Sequence, residues 1–179
     1  MAAAEQHHTL PLPQFDTPVK LAIVVSPYYK DIAAELVAGA TAVADAVGAT
    51  VEVIEMPGAL EIPTAIAICE RQSDFDGYVA LGCVIRGETT HYDTVCNDSS
   101  RALALLGLQG ACIGNGILTV ENREQAVVRA EAAGQNKGGG AAAASLHLVA
   151  LRRRFAAPRR NIGFRPDEVH LAKGEGTLA

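Results

Sequence analysis

The chain has 179 residues, of which 49% are hydrophobic, so it is long and apolar enough for one domain with a core of its own, needing no metal or disulfide staple. Its formal net charge is −5 with acidic and basic residues interspersed, which leaves no electrostatic footprint for nucleic acid or an anionic membrane surface. A small anion can still be bound locally.

Residues 1–17 carry Pro11, Pro13 and the adjacent His7 and His8 with little apolar periodicity, and read as a flexible or extended arm. They show neither the basic n-region nor the continuous apolar segment of a signal peptide, which predicts a cytoplasmic protein. The run Leu21-Ala22-Ile23-Val24-Val25 is a strand of the kind buried on both faces in a parallel sheet. Residues 31–47 place Ile32, Leu36, Ala40, Val43 and Val47 at helical spacing, with Gly48 as a stop. A second strand, residues 51–56, runs into Pro57-Gly58. The stretch Ala59-Leu60-Glu61-Ile62-Pro63 then opens a helix that ends near Gln72, since proline is tolerated in a first turn.

The third strand covers residues 77–85, and a helix is expected from about Tyr92 to Leu106 with Asp98 and Arg101 on its polar side. The uncharged stretch 102–120 has the length of a membrane span. Gly107, Gln109, Gly110, Gly114, Asn115 and Gly116 divide it instead into a helix end, a turn and a fourth strand at residues 111–118. Thr119 is placed to cap a helix running from Val120 to about Gly134. After a turn at residues 135–140, a last helix over 141–155 closes on Arg152, Arg153 and Arg154, cations suited to a helix C-terminus. The folded domain is thus expected over residues 18–157, with a polar tail from 158 to 179. Cys69, Cys83, Cys96 and Cys112 form no C-x-x-C pair and have no histidine at zinc spacing, so they read as reduced core thiols.

Strands and helices alternating with short turns imply a single α/β domain built on a four-stranded parallel sheet covered on both faces. Residues 26–29, 57–61, 86–91 and 115–119 are then expected at the C-terminal ends of strands, along the edge where such sheets bind ligands. The turn after the third strand holds a glycine, two threonine hydroxyls and the unpartnered N–H groups of a helix start, which together make an anion cradle. His91 stands one step inside it, and an imidazole can both give and take a proton near neutral pH. The turn has neither G-x-G-x-x-G spacing nor a P-loop lysine, so it is no nucleotide fingerprint. Tyr28 or Tyr29 can stack on a planar heterocycle or pack against a helix. Glu61 suits either the dipole of a first turn or the hydroxyls of a polyol. Arg129 and Lys137 can compensate phosphate charge, as a fork and as a point charge, or can be solvated surface groups.

Four motifs occur in order between Val19 and Leu151. They are Pro57-Gly58-Ala59-Leu60-Glu61-Ile62-Pro63, Leu81-Gly82-Cys83-Val84-Ile85-Arg86-Gly87-Glu88-Thr89-Thr90-His91-Tyr92-Asp93, Gly116-Ile117-Leu118-Thr119 with Gln125-Ala126 and Arg129-Ala130, and Asn136-Lys137-Gly138. Together they resemble 6,7-dimethyl-8-ribityllumazine synthases. The resemblance implies a flavodoxin-like three-layer sandwich and the penultimate step of riboflavin synthesis. In that step 5-amino-6-ribitylaminouracil condenses with 3,4-dihydroxy-2-butanone 4-phosphate, releasing phosphate and water, with no cofactor and no metal. It implies that Tyr28 stacks on the pyrimidine, that Glu61 binds the ribityl chain and that His91 is the acid/base. Gly87, Glu88, Thr89 and Thr90 become the phosphate loop, with the Glu88 carboxylate turned away from the anion. Arg129 becomes the phosphate-binding arginine and Lys137 a nearby active-site lysine, while Leu60, Val84, Ile85 and Asn115 complete the substrate contacts.

The resemblance also implies active sites between subunits, with the region of Asn115, Arg129 and Lys137 supplied by the neighbour. That means a homo-oligomer, a pentamer or a multiple of pentamers, with riboflavin synthase a candidate partner. Three positions depart from the pattern: Leu60 and Asn115 stand where relatives often carry aromatics, and Gly140 where an acidic residue is common. The first two are expected to loosen ring contacts, the third to bear on packing. The alternative reading is a flavin- or lumazine-binding or capsid-forming homologue with little catalysis.

Overall fold

The apolar runs of the sequence become four strands in a computed structural model that describes residues 9–156. The elements are β1 (Lys20–Val25), α1 (Lys30–Ala46), β2 (Thr50–Glu55), α2 (Glu61–Gln72), β3 (Gly77–Ile85), α3 (His91–Leu108), β4 (Ile113–Val120), α4 (Arg123–Ala130) and α5 (Lys137–Phe155). All strand pairs are parallel and the order is β2-β1-β3-β4, the expected α/β sandwich of flavodoxin-like type. Among the described residues no helix is long and apolar enough to cross a membrane. The stretch 102–120 divides into the end of α3, a turn at Gly110 with φ +106°, and β4.

Side-chain alternation along the strands sorts the core into two layers. Leu21, Ile23 and Val25 of β1 and Val79, Leu81 and Cys83 of β3 pack with Ile32 and Leu36 of α1 and Ala142, Leu146 and Val149 of α5. Ala22, Val24, Tyr78 and Ala80 face the other way, onto Ile62 and Ile66 of α2 and Leu103 of α3. β1 and β3 are buried on both faces because they are central, whereas β2 is an edge strand whose Val53 is 46% exposed. All four cysteines are unbridged. Residues 9–19 run without helix or strand; Phe15 packs against the larger core layer with the Arg153 guanidinium 5.4 Å from its ring centre. His7, His8 and the tail from Pro158 lie outside the described residues.

Three local expectations are corrected. Thr119 does not cap a helix: β4 continues through Val120, and the Asn122 side chain caps α4 instead, accepting from the Gln125 N–H at 2.9 Å. α4 ends at Ala130, short of Gly134. Gly138, Gly139 and Gly140 are not a turn but the first turn of α5, capped by Asn136 in the left-handed region with its side chain accepting from the Gly139 N–H. The glycines there serve close approach: a Cβ on Gly138 would lie 2.0 Å from the Leu36 carbonyl oxygen of α1, and one on Gly114 of β4 would lie 1.8 Å from the Ala141 carbonyl oxygen. Among the described residues Gly140 bears on no packing, since a Cβ there meets nothing within 4 Å.

This difference sets a test. Gly138→Ala should lower the denaturant-unfolding stability by about 2–3 kcal/mol, because backbone rather than a movable side chain opposes the methyl. Gly140→Ala should be neutral or stabilising by up to about 1 kcal/mol, the helix-propensity gain. Equal losses at both positions would remove the packing explanation.

Candidate active site

The order β2-β1-β3-β4 places a switch point between β1 and β3, where the chain leaves β1 toward one side of the sheet and β3 toward the other. A cleft of about 440 Å³ opens at that point. Its walls come from β1, β2 and β3 and the segments that follow them: Ser26, Tyr28 and Tyr29 after β1, residues 58–61 after β2, Cys83, Val84 and Ile85 of β3, and His91 with Val95 of α3. The Ser26 hydroxyl donates to the Pro57 carbonyl at 3.4 Å and so ties the first two exits together. Tyr28 is 74% exposed and meets Tyr29 edge-on, ring centres 5.0 Å apart, which leaves a face free for stacking. Leu60 is 38% exposed, an apolar side chain at the rim. Glu61 opens α2, and its carboxylate lies so near Gly58 that a Cβ there would come within 2.7 Å of it.

The loop of Gly87, Glu88, Thr89 and Thr90 is exposed and lies between two residues of the cleft wall, Ile85 and His91. Among the described residues its four backbone N–H groups have no acceptor, and a Cβ on Gly87 would meet nothing within 4 Å. The His91 N–H reaches the Thr89 hydroxyl at 3.4 Å. An open row of amides leading into α3 is an arrangement that can accept an anion. The cation beside it, Arg86, is already engaged: Nε donates to Glu121 at 2.8 Å, Nη1 donates to Asp93 at 3.3 Å, and the guanidinium lies 4.1 Å above the Tyr92 ring.

Asn115, Arg129 and Lys137 are not in this cleft. They line a second one, of about 460 Å³, along the outer edge of β4 with Thr119 and Gly140. Asn115 lies near the start of β4, in register with Ala80, rather than at the strand's C-terminal end as the sequence predicted. Its side-chain oxygen accepts the Ile117 N–H at 3.0 Å, which satisfies a donor that an edge strand would otherwise leave open. Arg129 turns back along α4 to donate to the Gln125 carbonyl at 3.0 Å. The two clefts share no lining residue, so one chain brings together Tyr28, Leu60, Glu61, Val84, Ile85 and His91, with the loop at their side, and holds the other three elsewhere.

Sequence reading passed over Ser26, Cys83 and Val95 as individual wall residues. Their signal was position alone, at strand ends and one helical turn past His91. Burial pushes the Cys83 thiol up to about 11, against the partly offsetting Arg123 charge, so it is a neutral wall group at physiological pH rather than a nucleophile. Burial, then the Tyr28 phenol, likewise raises the Tyr29 hydroxyl. At the rim, Arg123 donates to Asp31 at 2.5 Å, and that hydrogen bond holds the Asp31 carboxyl below the usual carboxylate range while joining α1 to α4.

Comparison with known proteins gives a family match over residues 18–153, to 6,7-dimethyl-8-ribityllumazine synthase. A protein of that name from Jannaschia sp. (strain CCS1) is 57% identical over 173 residues, covering 96% of this chain and 97% of its own. One from Novosphingobium aromaticivorans is 52% identical, over 76% of this chain and 99% of its own, and one from Methylorubrum extorquens 53% identical, over 75% and 81%.

The raised Cys83 thiol makes a measurable statement about the cleft wall. Alkylation at Cys83, followed by peptide mass mapping, should be slow at pH 7.5 and should climb toward a half-maximal rate near pH 11, because the thiolate is the reacting form. Rapid labelling at neutral pH would contradict the apolar environment assigned to it.

Proposed function

The chain belongs to the 6,7-dimethyl-8-ribityllumazine synthase family, and we propose that it catalyses the condensation of 5-amino-6-ribitylaminouracil with 3,4-dihydroxy-2-butanone 4-phosphate. It is on this reading a transferase of riboflavin biosynthesis. The observation that carries the reading is the switch-point cleft, which lines up an exposed aromatic (Tyr28), a carboxylate (Glu61) and an imidazole (His91) beside a loop of open amides. Each matches one part of the two substrates: planar pyrimidine, ribityl hydroxyls, transferable proton and phosphate.

In the proposed mechanism Tyr28 and Leu60 hold the pyrimidine, with Val84 and Ile85 as the apolar floor, and Glu61 fixes the ribityl chain. The amides of residues 87–90, with the hydroxyls of Thr89 and Thr90, hold the phosphate. The substrate amine is thereby kept next to the ketone carbon. Attack forms the carbinolamine, loss of water gives the imine, proton removal expels phosphate and leaves an enol that tautomerises to a ketone, and attack of the ribitylamino nitrogen on that carbonyl with loss of a second water closes the lumazine ring. His91 accepts and returns protons in these steps. Most of the acceleration comes from converting an encounter into an intramolecular reaction, and acid/base help is added to it.

A phosphate dianion also needs positive charge, and Arg86 is committed to two carboxylates. Arg129 and Lys137 line the other cleft. We therefore propose that a second copy of the chain presents its Asn115, Arg129 and Lys137 to the first cleft, in a homo-oligomer that is a pentamer or a multiple of pentamers. A cytoplasmic location and riboflavin synthase as a consumer of the product belong to the same proposal.

The test is direct: purified protein mixed with both substrates should generate lumazine absorbance. His91→Ala should slow turnover by about a hundredfold without abolishing it, since positioning survives the loss of one acid/base group. Arg129→Ala should raise KM for the butanone phosphate about tenfold or more, the effect of losing one charge-assisted bond. If the site is shared, dissociating and reassembling a mixture of the two variants should restore part of the activity. A folded wild type that binds lumazine or riboflavin yet forms no product would establish the carrier or shell reading instead.

A further inference from the structure

The Arg86 side chain is built into the loop region more firmly than a surface arginine has reason to be. Its backbone N–H continues the β3–β4 ladder by donating to the Val120 carbonyl at 2.9 Å, which fixes its root. From there the guanidinium reaches three groups on two elements: Glu121 in the β4–α4 connection, and Asp93 and Tyr92 in the first turn of α3. Glu121 is itself held, because its N–H donates to the Gln125 side chain at 3.1 Å. The loop of residues 87–90 spans the gap between Arg86 and His91: its last carbonyl, Thr90, accepts the Asp93 and Thr94 N–H groups of α3 at 3.0 and 3.3 Å, whereas among the described residues Gly87, Glu88 and Thr89 make no backbone–backbone hydrogen bond and the Thr89 hydroxyl has only the long contact to the His91 N–H. The side chain thus bridges the mouth of a loop that is tied to α3 at Thr90 but has no backbone bond of its own over residues 87–89.

We propose that Arg86 is a positioning residue: it braces the start of α3 against the β4–α4 connection, and so fixes the loop amides and His91 in the arrangement that receives the substrate phosphate. This rests on the reading of residues 87–90 as the phosphate loop. The brace works through geometry rather than free charge. Nε and Nη1 are spent on carboxylates, and a planar guanidinium that forks between two acceptors while lying over an aromatic ring is a shape lysine cannot reproduce. Without it, the loop must be ordered each time the anion binds, and fixing even one residue's backbone corresponds to about a tenfold loss in affinity.

The experiment compares the wild-type chain with Arg86→Gln, Arg86→Lys and Glu121→Gln, measuring kcat, KM for each substrate and inhibition by inorganic phosphate, with thermal melting as the folding control. Arg86→Gln should raise KM for the butanone phosphate and the inhibition constant for inorganic phosphate about tenfold, while KM for the ribitylaminopyrimidine stays within about twofold. Arg86→Lys should not rescue. Glu121→Gln, which weakens the far end of the brace without touching Arg86, should shift phosphate binding the same way by about threefold, and it reports even if the Arg86 variants fail to fold.

Tighter phosphate binding in Glu121→Gln, or wild-type behaviour in Arg86→Lys, would overturn the proposal in favour of a guanidinium acting as charge. An equal rise in both KM values would overturn it in favour of a general structural role. A wild type that forms no lumazine removes the functional reading and this inference together, whereas normal turnover with an unchanged Arg86→Gln removes the brace alone.

Discussion

The parallel pairing of β1 with β3 is the constraint on which the candidate site depends. Parallel strands end on the same side, so every segment leaving the sheet must turn at one edge. Because β2 lies on one flank of that central pair and β4 on the other, the segments after β1 and β3 diverge there. The gap left between them is the cleft. Its apolar floor is a by-product of the same pairing: strands central enough to be buried on both faces are made of valine, isoleucine and leucine, and Val84 and Ile85 are simply where that run reaches the surface. The polar groups then come from the turns, where backbone amides run out of intrachain partners.

Charge distributes differently from shape. The cleft that has the open amides has its nearby cation neutralised, while Arg129 and Lys137 face a cleft with no such loop. Solvent-exposed ion pairs such as Arg86–Asp93 and Arg86–Glu121 are screened and add little to stability, so holding the fold together is a weak reason for tying up that arginine. Orientation is the stronger one. The exposed apolar side chains belong to the same picture: Val53 on edge strand β2, Leu105 and Leu108 on α3 and Val127 and Val128 on α4 lie uncovered in the single chain. The proposed homo-oligomer supplies a cover for such surfaces.

What could be read from the sequence followed from how many physical roles a residue type can play. Both central strands were legible because a short, unbroken, uncharged run, apolar but for glycine, bounded by turn residues has few other uses. Helices α1 and α2 were legible from spacing and from the Gly48 and Pro63 signals. Glycine misled, since it serves turns and close packing alike: Gly138 and Gly139 read as a loop, yet Gly138 lets α5 approach α1 and Gly139 leaves room for the Asn136 side chain that caps the helix starting there. Thr119 misled because threonine suits caps and strands equally, and the ladder to Val84 decided in favour of the strand. For the site, the rule that ligands gather at strand ends found Tyr28, Glu61 and His91 together. It failed for Asn115, because the position of a residue along β4 depends on a register that only the β3 pairing sets.

The two clefts are nevertheless not independent parts of the chain. Arg86 holds Glu121, the Glu121 N–H is held by the Gln125 side chain, and the Gln125 carbonyl accepts from Arg129. These contacts run from the anion loop of one cleft to the arginine of the other through the β4–α4 connection and the first turns of α4. If each complete site takes its loop from one chain and its arginine from the next, both phosphate-facing parts of a subunit are hung on the same short helix. A loop that is braced rather than self-supporting then has a clear advantage: its position is referred to the element that also carries Arg129, so the geometry of both halves is set by one rigid piece.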